Sequence, residues 1–195
     1  ATSAATSKLI HGGLRYLANG ELKLVRESLR ERRILGNIAP NFVYPLPFLL
    51  PMYKRWRGNI WMMMAGMYLY DALSYDKKDT WDKSKRLQNH RLINYRKTVR
   101  VEPNLKTENL RNAFYFFDYQ SIFPERLTLA FIKSAAEYGA CVSNYTPVEG
   151  FIYGEEKKIS GVTVRDIFTG RTREVHADLV VNCGGTWADK ILSLA

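Results

Sequence analysis

The spacing of apolar and polar positions changes several times along the chain, and each change marks an element. From Glu21 to about Ala39, Leu22, Leu24, Val25, Leu29, Ile34 and Leu35 recur near helical spacing, with Arg and Glu on the other face. This predicts an amphipathic helix that fades at Gly36 and Pro40. Phe42 to Pro51 is apolar but punctuated by proline, which predicts extended chain. Asn59 to about Ser74 (NIWMMMAGMYLYDALS) predicts a second helix, rich in Trp, Met and Tyr and preceded by Lys54, Arg55 and Arg57. A core helix fits this pattern. So does an element lying on a membrane surface or a partner, with aromatics and a basic flank at the interface. Asp76 to Asn89 is charged and predicts a loop, and Asn94 to Val101 predicts a short helix ending at Glu102-Pro103. Ala113 to Phe117 is dense in aromatics, which favours a strand. Pro124 and Glu125 suit a helix start, and Gly139 suits its stop after Tyr138.

The last third reads differently. Cys141–Asn144, Val148–Tyr153, Ile159–Asp166, Thr172–His176 and Leu179–Asn182 are short β-type runs, with turn signals at Gly154 and Thr169-Gly170. Leu179-Val180-Val181 is continuously apolar, as expected of a strand buried on both faces. It runs into Asn182-Cys183-Gly184-Gly185, and Trp187 to Leu194 predicts a helix. Strand, glycine pair, helix is the order of a nucleotide contact at the carboxyl end of a sheet strand. A tight turn uses the same residues.

Composition narrows the class. Hydrophobic residues make up 46% and charged residues 25%, ordinary values for a folded protein. The net charge is +10 and the sequence pI about 9.6, which suits phosphate-bearing ligands or an anionic surface. Cys141 and Cys183 have neither metal-ligand nor CxxC spacing and read as buried small hydrophobes. His11, His90 and His176 are scattered, so no metal site is expected. No apolar run reaches the roughly 18–20 residues of a membrane span, and the first residues do not resemble a signal peptide.

The chemistry concentrates at the start, ATSAATSKLIHGGLRYL. Hydroxyls from Thr2, Ser3, Thr6 and Ser7 precede Lys8, His11-Gly12-Gly13 and Arg15. Hydroxyls, backbone N–H groups and a nearby helix start suit phosphate. Glycine lets backbone approach a ligand because no Cβ intervenes. The rigid donor fork of an arginine suits a further anion. The sequence contains no GxGxxG at a strand-to-helix junction, no Walker A motif, no GxSxG elbow and no HExxH. The residues by themselves describe an anion- or cofactor-binding α/β piece, expected to be incomplete.

With Ser7-Lys8-Leu9-Ile10-His11-Gly12-Gly13-Leu14-Arg15-Tyr16-Leu17 as its most specific part, the chain resembles the FAD-dependent glycerol-3-phosphate dehydrogenases. Leu46-Pro47, Leu50-Pro51, Tyr70-Asp71, Asp118-Tyr119-Gln120, Arg126-Leu127 and Leu179-Val180-Val181-Asn182 with Gly185 and Trp187 support the resemblance, which covers essentially the whole chain. It implies an α/β glutathione-reductase-type FAD-binding fold, incomplete, with part of a substrate domain. Residues 1–40 and 120–195 would belong mainly to the FAD domain. Residues 41–119 would form a substrate, cap or membrane-facing insertion. The chain is expected to be internal, with a GxGxxG unit upstream and a C-terminal region downstream, and to be inactive alone.

The implied reaction is oxidation of glycerol 3-phosphate to dihydroxyacetone phosphate, with electrons passed from FAD to a quinone. A glycerol-3-phosphate oxidase using oxygen and a non-catalytic, basic, membrane-surface-binding segment are the alternatives. By position, Thr2, Ser3, Thr6, Ser7, Lys8 and Leu9 would follow the flavin side of FAD, and His11, Gly12 and Gly13 would pass close to its ring. Arg15 aligns with the substrate-phosphate arginine. Val148 falls at an adenine contact, and Gly184, Gly185 and Trp187 fall at a second FAD loop. His11 is a candidate general base, although the family's base is expected beyond residue 195. Ala4 departs from a frequent serine, and Phe123-Pro124-Glu125 departs from a usual acidic pair. The implied placement is peripheral on a bacterial or mitochondrial inner membrane, with no nucleic-acid partner and with room for a homodimer in the longer protein.

Overall fold

The computed structural model describes residues 2–54 and 60–194. It divides into two units, Ala1–Ser134 and Ala135–Ala195.

The first unit is organised by its longest strand. In chain order it contains β1 (Leu9–Ile10), α1 (Leu22–Ile38), β2 (Val43–Tyr53), α2 (Ile60–Leu73), β3 (Arg91–Asn94), α3 (Tyr95–Val101), β4 (Leu110–Ser121) and all but the last turn of α4 (Pro124–Glu137). Every pairing is antiparallel. β2 follows one edge of β4 from Val43 opposite Ser121 to Tyr53 opposite Leu110. The other edge is shared: β1 pairs at Gln120 and Tyr119, and β3 pairs from Tyr115 to Asn112. That edge has no strand partner at residues 116–118 among the described residues, and the chain leaving β1 passes beside this gap.

The expected extended segment is thus an edge strand. Its prolines, Pro45, Pro47 and Pro51, occupy alternate positions, so their missing N–H groups share one edge and the ladder to β4 is spared. The expected helices appear within a residue or two of their predicted ends. For α2 the expected start at Asn59 and the basic pair Arg55 and Arg57 lie outside the described residues. Asn94 caps α3, its side chain accepting from the Lys97 N–H at 3.0 Å.

Three apolar clusters hold these elements together. Val25, Leu29 and Tyr70 join α1 to α2. Met52, Met67 and Phe114 join α2 to the sheet. Ala39, Val43, Leu87 and Tyr119 close the other end. On α1, Gly36 lies against the Tyr119 ring, where a Cβ would sit 2.7 Å from a ring carbon. The Tyr119 hydroxyl donates to the Lys85 carbonyl, and burial pushes its phenol up to about 12. α2 is buried along Met67 and Tyr70, whereas Trp61, Met62, Tyr68 and Leu69 are exposed. The core reading therefore holds for one face, and an apolar face is left at the surface.

The second unit contains an antiparallel meander, β5 (Val148–Tyr153), β6 (Ile159–Arg165) and β7 (Thr172–His176), followed by a short helix, α5 (Ala188–Leu192). The Thr169-Gly170 turn forms as expected. Gly170 has φ +70°, and the Asp166 carboxylate accepts from the Phe168 and Thr169 N–H groups.

Three expectations fail. Cys141–Asn144 and Leu179–Asn182 are not strands, and both cysteines are exposed rather than buried. A strand exists only through its neighbours' hydrogen bonds. Among the described residues neither run has a ladder partner, and Leu179 and Val181 are 76% and 70% exposed.

Candidate functional site

The opening segment lies on the surface of the first unit and is tied down at intervals. Thr2–Ala4 is a 3-10 turn. Ser3 accepts a hydrogen bond from the Thr128 hydroxyl on α4 (3.2 Å), and the Thr6 hydroxyl accepts from the Lys8 N–H (3.1 Å). Lys8 has φ +59°, a left-handed kink carried by a non-glycine residue. Leu9 and Ile10 then enter the sheet as β1, and the Ser121 N–H donates back to the Lys8 carbonyl. Thr2, Thr6, Ser7 and Lys8 are exposed.

Past β1 the chain turns at His11-Gly12-Gly13. The ring Nδ1 of His11 accepts from the Gly13 N–H at 2.9 Å. With Nδ1 engaged, the neutral ring carries its proton on Nε2, so the exposed side of His11 presents a donor. Gly13 has φ +70° and accepts at its carbonyl from the Tyr16 N–H (2.8 Å), which starts a 3-10 helix over Leu14–Asn19. Arg15 sits on that helix, exposed, with its guanidinium 3.3 Å from the Tyr16 hydroxyl and 5.1 Å from the centre of its ring.

The inner side of the loop accounts for Gly12. A Cβ there would come within 2.2 Å of Leu29 Cδ2 and 2.4 Å of the Tyr70 hydroxyl. Glycine at this position is thus required by the protein's own packing. The Gly12 N–H donates to the Tyr70 hydroxyl (3.0 Å) and, more distantly, to Asp118 Oδ1 (3.4 Å). Tyr70 donates in turn to the Asp118 carboxylate (3.0 Å), and Arg32 on α1 donates to the same carboxylate and to the Tyr70 hydroxyl. All three side chains are buried, Arg32 to 2% exposure. Burial, followed by the Asp118 charge, pushes the Tyr70 phenol far above its ordinary value, so it stays protonated and donating. The hydroxyl therefore uses its one donor and both acceptor positions. Arg32 Nε is left without a partner among the described residues.

Tyr70 and Asp118 lie within the motifs that carry the resemblance but receive no role from sequence, and Arg32 lies in none of those motifs. A signal was present. Val25, Leu29, Arg32 and Gly36 form the buried stripe of α1, so a charged residue stands where helical spacing demands an apolar one. The residue after Tyr70 faces elsewhere. Asp71 accepts from Lys77 and from the His90 N–H (3.1 Å), with His90 Nδ1 at 2.7 Å, and so pins the 76–90 loop to α2.

The other expected cofactor residues lie in the second unit. Val148 opens β5, half-buried. Gly184 is packed so closely that a Cβ would meet Ile191 Cδ1 at 2.5 Å, whereas Gly185 (φ +57°) is open. Its N–H donating to Asn182 Oδ1 (2.9 Å), Gly184 precedes a 3-10 turn, Gly185–Trp187, that leads into α5. Trp187 is exposed. The described residues contain no group of three or more His, Cys, Asp or Glu placed to hold a metal ion.

Comparison with known proteins agrees on one family. The sequence profile described as "FAD dependent oxidoreductase" matches residues 1–195. A glycerol-3-phosphate dehydrogenase of Synechocystis sp. is 37% identical over all of this chain and 34% of its own length. An alpha-glycerophosphate oxidase of Streptococcus pneumoniae is 33% identical over all of this chain and 31% of its own length. The solved glycerol-3-phosphate dehydrogenase of Bacillus halodurans, complexed with FAD, superposes with a TM-score of 0.64 at 28% identity, covering 97% of this chain and 28% of that one. The chain thus spans about a third of the length of the curated relatives it matches. It belongs to the FAD-dependent oxidoreductase family, as a homologue of the glycerol-3-phosphate dehydrogenases.

Proposed function

We propose that this chain supplies the flavin-facing and phosphate-holding part of an enzyme that oxidises glycerol 3-phosphate to dihydroxyacetone phosphate. The observation that carries the reading is the loop at His11–Arg15: its inner face is fixed by buried groups, and its outer face presents His11 and Arg15 to solvent. The donor set fits FAD. Exposed hydroxyls at Thr2, Thr6 and Ser7, the Lys8 ammonium and the His11 Nε2–H can all donate to an anionic, acceptor-rich ligand. Ser3 and Leu9 would contribute backbone contacts on the same stretch, and Gly12 and Gly13, buried with their N–H groups bonded within the protein, would shape it. On the resemblance, Val148, Gly184, Gly185 and Trp187 of the second unit are further candidates for cofactor contact. Residues 1–40 and 120–195 serve mainly the cofactor, and 41–119 mainly the substrate or cap region.

FAD, when bound, supplies the hydride acceptor for this chemistry. The chain's own part is placement. Arg15 holds the substrate phosphate with its donor fork and sets the distance of the reacting carbon. His11 donates from Nε2 and steadies negative charge on an oxygen, which differs from the base role considered from sequence. In this tautomer it has no free lone pair with which to take a proton. Among relatives of similar identity both a dehydrogenase and an oxidase occur, so the acceptor can be a quinone or oxygen. We favour a quinone because α2 leaves Trp61, Met62, Tyr68 and Leu69 exposed, an apolar face suited to a peripheral seat on a membrane.

The purified whole protein should carry FAD and oxidise glycerol 3-phosphate. Arg15→Ala should lower kcat/KM by roughly 10–100-fold, mainly through KM, the loss expected for a charged hydrogen-bonding pair. Wild-type protein without flavin or without turnover would refute the reading. Unchanged kinetics in the variant would remove Arg15 from the site. Peroxide formation in place of quinone reduction would identify an oxidase.

A further inference from the structure

The buried group beneath the glycine loop meets the loop from its inner side, yet it is built from the most costly materials available. An arginine and an aspartate are removed from water, and a fully bonded tyrosine hydroxyl is added to them. Plain packing of α1 on α2 would be served as well by apolar residues. What apolar residues could not do is bond the Gly12 N–H. That amide lies beside the stretch of β4 edge where no strand supplies a carbonyl, and its nearest acceptors are the Tyr70 hydroxyl and Asp118 Oδ1.

From Gly12 the constraint passes outward along a short, stiff path. Gly13 holds a left-handed φ and its N–H is taken by His11 Nδ1. The Gly13 carbonyl accepts from the Tyr16 N–H, which fixes the first turn of the 3-10 helix on which Arg15 sits. Residues held this way keep their orientation before a ligand arrives, so less ordering is needed on binding.

We propose that Tyr70, held by Asp118 and Arg32, is a positioning residue for phosphate recognition: its hydroxyl fixes the Gly12 amide and thereby aims Arg15. This rests on the proposed function above only for the identity of the phosphate-bearing substrate. The loop-fixing part stands on the structure of this chain alone.

Tyr70→Phe removes the hydroxyl and keeps the ring. Hydrogen–deuterium exchange of the whole protein reads the loop directly, with or without FAD. The peptide spanning residues 10–17 should exchange about tenfold faster, as expected when a buried amide loses its acceptor, while peptides from α1 and β4 are unchanged. Per bound flavin, the kcat/KM preference for glycerol 3-phosphate over glycerol should fall by about tenfold. Loss of fold alone would lower both substrates together. Unchanged exchange at 10–17 overturns the proposal, and so does faster exchange spread equally over α1 and β4, because Tyr70 would then be packing alone. Faster exchange with an unchanged substrate preference overturns the link to Arg15. Should Tyr70→Phe not fold, the Gly12 amide of the wild-type protein, read by NMR, must exchange as slowly as buried β4 amides, and an exposed-loop rate for it overturns the proposal. A wild-type protein that ignores glycerol 3-phosphate removes the substrate half through failure of the functional reading, and the exchange result still decides the rest.

Discussion

Removing one charge of the Arg32–Asp118 pair should cost more stability than removing both. The two side chains are 2% and 5% exposed, so either charge left alone would be buried without its counterion. Arg32→Met or Asp118→Leu alone should therefore cost about 3–5 kcal/mol. In the double variant no charge is left to desolvate, and the space between α1, α2 and β4 is filled by apolar side chains. What remains is the Tyr70 hydroxyl, which still accepts from the Gly12 N–H at 3.0 Å but has lost the carboxylate it donated to. An unsatisfied buried donor costs about 1–3 kcal/mol, so the double variant should be more stable than either single one. Urea unfolding of the four proteins, followed by tryptophan fluorescence, gives the cycle directly. A domain of ordinary stability, roughly 5–15 kcal/mol, leaves the single variants folded enough to measure. Additive losses, with the double variant the least stable of the set, would refute the argument, since they would mean that the two charges do not depend on each other.

Two further outcomes are expected. The Asp76 carboxyl takes bonds from Arg26 (2.8 Å) and Arg33 (3.0 Å). Burial alone would raise its pKa, but these arginines outweigh it and hold the group below the usual carboxylate range. A depressed carboxyl stabilises the fold above its unfolded value near 4 and loses that contribution as pH falls further. Melting temperature against pH should thus fall more steeply below about pH 4 in wild type than in Asp76→Asn, and parallel curves would count against the assignment. The exposed apolar face of α2 should bring the protein down with liposomes, more so with anionic lipid and at low salt, where surface electrostatics are strongest. Absence of binding at low salt in a sedimentation assay would exclude the membrane seat.

Much of the first unit was legible because its signals are local. Apolar spacing located α1, Pro124 and Gly139 bracketed α4, and Asn94 announced α3. β1 and β3 were not legible. They are two and four residues long, and they are strands because β4 lies beside them, a fact no local window contains. Leu179–Asn182 failed in the opposite sense. Its continuous apolar run expresses a preference for burial, but burial needs a partner, and the described residues offer none.

The glycine loop shows how the same limit applies to a site. The residues His11, Gly12, Gly13 and Arg15 are visible in the sequence as chemistry, where close approach of a ligand accounts for the glycines. The collisions a Cβ would make with Leu29 and Tyr70 give Gly12 a second and sufficient cause, facing inward. The groups that fix it are separated from it by 58 and 106 residues, so no motif could have joined them. Yet the inward and outward roles are not rivals. A binding group works best when its geometry is set before the ligand arrives, because donors that must first be ordered spend part of their energy on that ordering. A loop pressed by Leu29, bonded by Tyr70 and anchored to an ion pair is ordered in advance. The buried charge on α1, which looks like a fault in an amphipathic pattern, is in the proposed chain of contacts tied to Arg15 on the surface through Asp118, Tyr70 and Gly12.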